Sequence, residues 1–391
     1  MAPASSPPSS TADGVVLVHD YLLVMRGAER TFQEMAECYP QAAIATLLYD
    51  PIGTEGRFRH RRVRTSFLQG VAADQRRFRR FLPLLPVAAE RLPLGSATVV
   101  ISSSSAFAHG VRPAPDAVHI SYCHSPFRYV WHERRRTEHR FPRAARPLGH
   151  AALSAVRRWD IAASHRVTAY VANSQLTRQR IGDFYGRDAT VVHPPVEVDR
   201  FNGSSAPEDY FLLVGEVTGH KNTEMALAAA ERARVKVKVV GDGPDLTRLR
   251  HRFPHAGFVG RVDDHRLVEL YAGCRALVVP AIEEFGITMV EAQASGRPVV
   301  AAAQGGALEI VEDGETGALF RPGSVDELAE ALREIDWEGF DVSRLKASAE
   351  RFSGAQFRTR FGSVVESLVT GRGMAAQVEY RSNGAPALGM G

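Results

Sequence analysis

Lysine is scarce in this chain, with four residues against 44 arginines. The imbalance reflects genome composition before it reflects a nucleic-acid partner, and it makes any lysine near a candidate site conspicuous. Cysteine is scarcer still. Cys38, Cys123 and Cys274 stand far apart with no Cys-x-x-Cys pair, which excludes a disulfide framework and fits a reducing compartment. No apolar run reaches membrane-spanning length, so the expected location is cytoplasmic. Gly-x-Gly-x-x-Gly is missing after the first apolar run, and the P-loop pattern is missing everywhere, which weighs against a dinucleotide oxidoreductase and a P-loop enzyme. There is no Asp-x-Asp and no histidine spacing for zinc, so neither a metal nor another cofactor is expected. A formal charge of only +4, without a recognition motif, argues against a nucleic-acid partner.

What is present is a repeated unit: a short apolar run, a loop, then an amphipathic stretch. Runs at 15–18, 44–48, 97–101, 117–122, 166–172 and 190–192 read as buried strands of a first domain. Those at 210–214, 236–240, 256–259, 276–279, 298–301 and 319–320 read as strands of a second. Helical patterns at 223–231, 245–252, 264–272, 287–294, 307–312 and 325–334 alternate with the second set. The alternation predicts an α/β chain built on doubly wound parallel sheets. The expected boundaries are an irregular leader at 1–14, a first domain at 15–197, a linker at 198–209 and a second domain at 210–345. The leader lacks the basic segment and apolar centre of a signal peptide. A helical segment at 346–370 is long enough to return toward the first domain, and the Gly- and Ala-rich 371–391 is expected to be irregular. Nine arginines between 57 and 80, interleaved with Phe58, Phe67, Phe78 and Phe81, predict a solvated helical face. The same pattern would also suit an acidic partner or peripheral contact with the inner face of a membrane.

The stretch ALVVPAIEEFGITMVEAQASGRPVV, residues 276–300, organises the second domain. A loop that leaves a parallel strand and enters a helix puts free backbone N–H groups at the carboxyl edge of the sheet, where anions bind. Glu283 precedes this turn and Glu291 lies on the helix. The segment FLLVGEVTGHKN brings Lys221 to the mouth of another helix, where it can clamp a diphosphate, although taken alone it is as readily a surface lysine. VVGDGP (239–244) lets the backbone pass a ligand or a neighbouring loop, and is as readily a plain turn. QGGALEIV carries Glu309 after Gly305-Gly306, in what is also readable as a structural loop. All these loops follow parallel strands, so they gather on one edge. Lys221, the N–H groups near 286–288, Glu283 and Glu291 then suit one ligand, a nucleoside diphosphate joined to a hydroxyl-rich group.

The segment PAIEEFGITMVEAQASGRPVV resembles the Glu-x7-Glu signature of the retaining, GT-B-fold glycosyltransferases of family four. VGEVTGHKN, VVGDGPDL, GFVGRV, NSQLT and HPPVEVDRF join it, so the resemblance runs from Val15 to about Leu368. VHDYLL and CHSPFRYVW are similar to bacterial mannosyltransferases that use GDP-mannose. The resemblance implies two Rossmann-like domains facing a central cleft, a nucleotide-sugar donor and an acceptor that is a saccharide, a lipid-linked saccharide or a small natural product. It implies that Glu283 holds donor-sugar hydroxyls, Glu291 the ribose and Lys221 the diphosphate, aided by backbone at Phe285, Gly286, Ile287 and Thr288. His124 would meet the donor sugar and acceptor, and the Gly27-Ala28-Glu29 loop would approach the diphosphate. Arg128, Tyr129, His19, Asp20 and Glu309 are further candidate contacts with donor or acceptor.

Two positions depart from the family pattern. Glu216 stands where a basic residue usually precedes the lysine, and Arg26-Gly27 replaces a double glycine, so Arg26 is expected to supply the charge missing at 216. The implied reaction is metal-independent transfer of a sugar with retention, in which the leaving diphosphate takes the acceptor's proton on the same face. A nucleotide-sugar 2-epimerase and a weakly active sugar-nucleotide-binding homologue are the alternatives.

Overall fold

The computed structural model describes residues 14–72, 78–139, 141–201 and 206–383. The leader before Gly14, residues 202–205 of the expected linker and residues 384–391 of the tail lie outside the described residues. The chain divides into two compact units. The first takes the chain up to Asn173, Thr177–Val192 and the stretch from Arg358, and the second takes Ser174–Leu176 and His193–Phe357. The chain therefore crosses between the units at 173/174, 176/177, 192/193 and 357/358.

The first unit is a seven-stranded parallel sheet of β1 (Val15–His19), β2 (Ala43–Thr46), β3 (Val63–Thr65), β4 (Val99–Ser104), β5 (Val118–Cys123), β6 (Ala169–Ala172) and β7 (Ala189–Val191). Their spatial order is β3-β2-β1-β4-β5-β6-β7, so the order reverses beside β1, where an open α/β sheet presents its ligand edge. β1 is buried along its whole length and pairs with β2 on one side and β4 on the other. Phe32, Met35 and Ala36 of the Gly27–Cys38 helix pack inward, at the i, i+3 and i+4 spacing of an apolar stripe.

β4 runs on through Ser102, Ser103 and Ser104, where the apolar pattern ended the strand at 101. Three buried hydroxyls are tolerable in a central strand only if each finds a partner, and each finds a histidine. Ser102 Oγ lies 2.9 Å from His119 Nε2, Ser103 Oγ 2.8 Å from His124 Nε2, and Ser104 Oγ 3.3 Å from His109 Nδ1.

Residues 73–77 of the arginine-rich stretch lie outside the described residues, and the described part is not one helical face. Residues 57–60 turn, β3 follows, and a short helix occupies Gln69–Ala72 before Phe78–Leu84 winds as a 3-10 turn. Arg61 donates to the carbonyls of Ala36, Tyr39 and Ala42, satisfying acceptors at the end of the Gly27–Cys38 helix. A guanidinium with that many backbone acceptors in reach folds inward rather than lining a solvated face.

The second unit is a six-stranded parallel sheet of β8 (Phe211–Val214), β9 (Val237–Val240), β10 (Gly257–Gly260), β11 (Leu277–Val279), β12 (Val299–Ala302) and β13 (Gly317–Phe320), ordered β10-β9-β8-β11-β12-β13. Its order reverses beside β8, next to β11. Part of the expected linker is core: Val198 and Phe201 are buried among Tyr271, Leu277 and Met289, because two apolar side chains three residues apart gain more from burial than from a free strand of chain.

The expected single segment at 346–370 is two helices, Val342–Glu350 and Gly354–Asn383. They break where the Val196 N–H donates to Phe352 O and Ser353 pairs with Val196 across an isolated bridge. The second helix continues to Asn383, past the start of the expected irregular tail at 371, because Met374, Ala375, Ala376 and Gln377 are strong helix formers between the flanking glycines. No helix among the described residues is long and apolar enough to cross a membrane.

The buried His119 ring gives the first unit a predicted pH dependence. Burial, then the neighbouring His109 and Arg166, push its pKa down to about 3, while the unfolded side chain titrates near its ordinary value of 6.5. Between those two values the unfolded chain binds the extra proton. Stability is therefore whole above pH 6.5 and declines as pH falls, by up to about 1.4 kcal/mol per pH unit for this one group. Urea midpoints measured from pH 7 to pH 4 should decline less steeply in His119→Gln than in the wild type. Equal slopes would show that His119 is not charged on unfolding in that window.

Candidate functional site

The carboxyl edge of the first sheet is built around one carboxylate. Asp20 follows β1, is 3 % exposed, and accepts backbone N–H groups from Ser105, Ala106, Phe107 and Ala108 at 2.6 to 3.0 Å. Its lone pairs are committed to holding the loop after β4. His19 is 2 % exposed and stacks on Phe32 with ring centroids 4.7 Å apart, so it too is held inside the unit. Its Nδ1 lies 3.0 Å from Ser103 Oγ, the atom that also meets His124.

His124 stands immediately after β5, with its backbone N–H donating to Ser104 O. Part of its ring reaches the surface. Burial, then the neighbouring His19, push its pKa down to about 3, so at neutral pH it is an uncharged imidazole. Tyr129 leans on Phe127 at 5.6 Å and packs against the core, while Arg128 beside it is partly exposed. Gly27 opens the Gly27–Cys38 helix, and Arg26 caps it with a backbone N–H donating to Glu29 Oε2 at 3.1 Å.

In the second unit, the loop after β8 tightens into a 3-10 turn over Gly219–Lys221 and enters the Thr223–Ala233 helix through Asn222 at φ +51. Asn222 Nδ2 donates to Pro280 O at 3.2 Å, tying this turn to the end of β11. The tie brings Lys221 to Glu283. The Nζ lies 2.7 Å from Oε1 and 2.8 Å from Oε2, with the two side chains 31 % and 20 % exposed. Glu216 and Thr288 line the same pocket. Arg26 and Glu216 fall in different units.

The Ile287–Ala294 helix begins at Gly286, whose φ of +104 and contact with Met289 leave no room for a side chain: a Cβ would fall 2.1 Å from Met289 Cε. The first N–H groups of a helix, here at Ile287 and Thr288, lack intrahelical acceptors. Glu291, on the second turn, accepts a hydrogen bond from Tyr271 Oη at 2.8 Å. Phe285 is itself core, stacked 5.5 Å from His193, so only its backbone is available to a ligand.

The remaining glycine loops pack against protein. The 239–244 turn meets its neighbour loop through Val217 N–H donating to Asp242 O and Gly215 N–H to Val240 O. Gly306 lies so close to the 283–285 loop that a Cβ would fall 1.7 Å from Phe285 O. Glu309 is the carboxylate of this region with the clearest internal duty. It accepts from Gln175 N–H at 2.9 and 3.0 Å and lies 2.7 Å from His193 Nε2, so it anchors both short stretches by which the chain enters the second unit.

The sequence reading missed Ser103, Tyr271 and His193. NSQLT and HPPVEVDRF drew notice as motifs, yet nothing in them indicated Glu309 as their partner. Among the described residues no cluster of three metal-ligating side chains is present.

Comparison with known proteins places these features in a family. O-antigen chain mannosyltransferase C of Escherichia coli is 32 % identical over 145 residues, 35 % of this chain and 39 % of that protein. Sulfoquinovosyl transferase SQD2 of Arabidopsis thaliana is 31 % identical over 35 % of this chain and 28 % of its own length. D-inositol 3-phosphate glycosyltransferase of Mycobacteroides abscessus is 32 % identical over 218 residues, 49 % of this chain and 47 % of that one. In each case the match spans less than half of the relative's length. Among solved structures, HepE of Anabaena in complex with UDP and glucose has a TM-score of 0.68 at 18 % identity, covering 90 % of this chain and 100 % of that one. Sucrose-phosphate synthase of Thermosynechococcus elongatus has a TM-score of 0.70 at 15 % identity, covering 92 % and 100 %. At those identities the likeness establishes the fold, two Rossmann-like parallel-sheet domains of the GT-B kind. Glycosyltransferase Family 4 matches residues 25–200, across the serine–histidine edge, and Glycosyl transferases group 1 matches residues 197–339, across Lys221 and both glutamates, so the chain belongs to the glycosyltransferases that these two models describe.

Proposed function

We propose that the protein transfers a sugar from a nucleoside diphosphate donor to an acceptor hydroxyl, with retention at the anomeric carbon and without a metal. The observation that carries this reading is the ion pair of Lys221 and Glu283 at the carboxyl edge of the second sheet, beside the opening of the Ile287–Ala294 helix. An ammonium and the N–H groups of that helix suit a diphosphate, and Glu283 suits sugar hydroxyls. Glu291, oriented by Tyr271, is assigned the ribose. The diphosphate's charge grows as it leaves, and Lys221 with the helix N–H groups balances it while the acceptor's proton passes to the departing oxygen. GDP-mannose is the first donor to try, on the likeness to mannosyltransferases, with UDP-sugars next. A saccharide or lipid-linked saccharide is the proposed acceptor class.

One observation favours a second reading. Lys221 is neutralised by Glu283, and Glu216 adds another carboxylate to the same pocket, which suits a sugar-nucleotide-binding homologue with little transfer. A donor screen separates the two. A new glycoside, with the donor's anomeric configuration by NMR, supports the transferase. Binding of the donor without any turnover, across saccharide acceptors, supports the binding protein.

Three further outcomes are expected. Lys221→Ala should lower kcat by roughly 10²–10³, the worth of about 2–4 kcal/mol of transition-state stabilisation, and an unchanged kcat would remove the lysine from the reaction. Glu283→Gln should bind the nucleoside diphosphate at least as tightly as wild type, since Lys221 is released, while transfer falls. Weaker binding in titration calorimetry would contradict that assignment. Treatment with a chelator should leave the rate unchanged, and a loss restored by added magnesium would show that a metal takes part.

A further inference from the structure

We propose that Glu29, His19 and Ser103 are positioning residues that fix the tautomer of His124, so that its Nδ1 presents a bare lone pair to a substrate hydroxyl. This rests on the reading of the chain as a sugar transferase and adds a specificity element to it. The four groups form one line within the first unit. Glu29 Oε1 lies 3.9 Å from His19 Nε2, His19 Nδ1 lies 3.0 Å from Ser103 Oγ, and Ser103 Oγ lies 2.8 Å from His124 Nε2. Glu29 is 12 % and His19 3 % exposed at the side chain, so solvent does not scramble the line.

Charge and donor counting set its direction. Glu29 Oε1 is too far from His19 Nε2 for a hydrogen bond, but its negative charge, in a space nearly closed to solvent, favours the ring proton on the nitrogen that faces it. His19 Nδ1 is then an acceptor, and the single hydroxyl proton of Ser103 points to it. Ser103 Oγ has a lone pair left for His124, whose Nε2 must therefore carry the proton. Nδ1 is left unprotonated, and no described residue is recorded as its hydrogen-bond partner. The other oxygen of Glu29 is held by the Arg26 N–H, which keeps the carboxylate aimed along the line. His124 accepts a hydrogen bond in this arrangement and takes no proton from the substrate.

The line can be reversed by one atom. In Glu29→Gln the amide oxygen keeps the Arg26 N–H, the negative charge is gone, and the positive end of the NH₂ group faces His19 Nε2, which favours a bare nitrogen there. His19 must then protonate Nδ1, Ser103 must donate to His124, and the His124 proton moves to Nδ1. The test is the histidine ring tautomers of the ¹⁵N-labelled full chain in long-range ¹⁵N–¹H spectra, with His124 assigned by loss of its signals in His124→Gln. Wild type should show His124 protonated at Nε2, Glu29→Gln at Nδ1, and Ser103→Ala a mixture that Ser103→Thr restores. A wild-type His124 protonated at Nδ1, or a tautomer indifferent to both Glu29→Gln and Ser103→Ala, overturns the proposal. The spectra need no turnover, so an inactive wild type would refute the transferase reading while leaving this result to stand or fall by itself.

Kinetics then locate the hydroxyl. Glu29→Gln should lose about ten-fold in transfer, the worth of one hydrogen bond. If the hydroxyl belongs to the donor sugar, the loss extends to slow donor hydrolysis without acceptor. If it belongs to the acceptor, the loss is confined to transfer. No loss in either assay overturns the substrate contact.

Discussion

A parallel strand buried on both faces must end with its last backbone groups satisfied, and much of this molecule follows from how that is done. Asp20 collects the N–H groups of four successive residues after β4, which frees the neighbouring strand end to carry His124. Asn222 does the equivalent work in the second unit by taking Pro280 O, which fixes Lys221 at Glu283. In both sheets the side chains with chemistry to offer stand next to a polar residue whose business is the backbone.

Much of the fold was legible because buried parallel strands are written as short apolar runs, and each run in the second half marks a strand within a residue or two. The pocket of the second unit was legible for the same reason: loops that follow parallel strands gather on one edge whatever their separation in sequence, which brings residues 221, 283 and 288 to one pocket. Ser102 to Ser104 were not legible as strand. Three hydroxyls look like a loop until their histidine partners, 5 to 21 positions away, are in place. Asp20 reads in sequence as a candidate contact for donor or acceptor because a pattern shows its charge and not the four N–H groups turned toward it. The pairing of Lys221 with Glu283 spans 62 positions and depends on the Asn222 tie, which no periodicity encodes. Arg61 belongs to the same class: an arginine in a basic run, whose acceptors lie on a helix that ended some twenty residues earlier.

The histidines of the first unit show how one residue type takes different duties on one strand edge. His119 is a sealed partner for Ser102, and its depressed pKa records first the cost of charging a ring away from water, then the neighbouring His109 and Arg166. His124, five residues on at the carboxyl end of the same strand, shares that depression yet is partly exposed. Burial alone does not separate the structural ring from the one available to a ligand; the exposed edge does.

The bidentate contact between Lys221 and Glu283 has a consequence for what can occupy the pocket. An incoming anion that takes the ammonium leaves the carboxylate without a counter-charge in a half-enclosed space, so an occupant offering negative charge alone is opposed by the group it displaces. An occupant that also brings hydroxyl donors satisfies both partners at once. In the proposed reaction those donors depart with the sugar, and the carboxylate then closes back on the ammonium, turning the resting contact into a device that discharges the spent nucleotide.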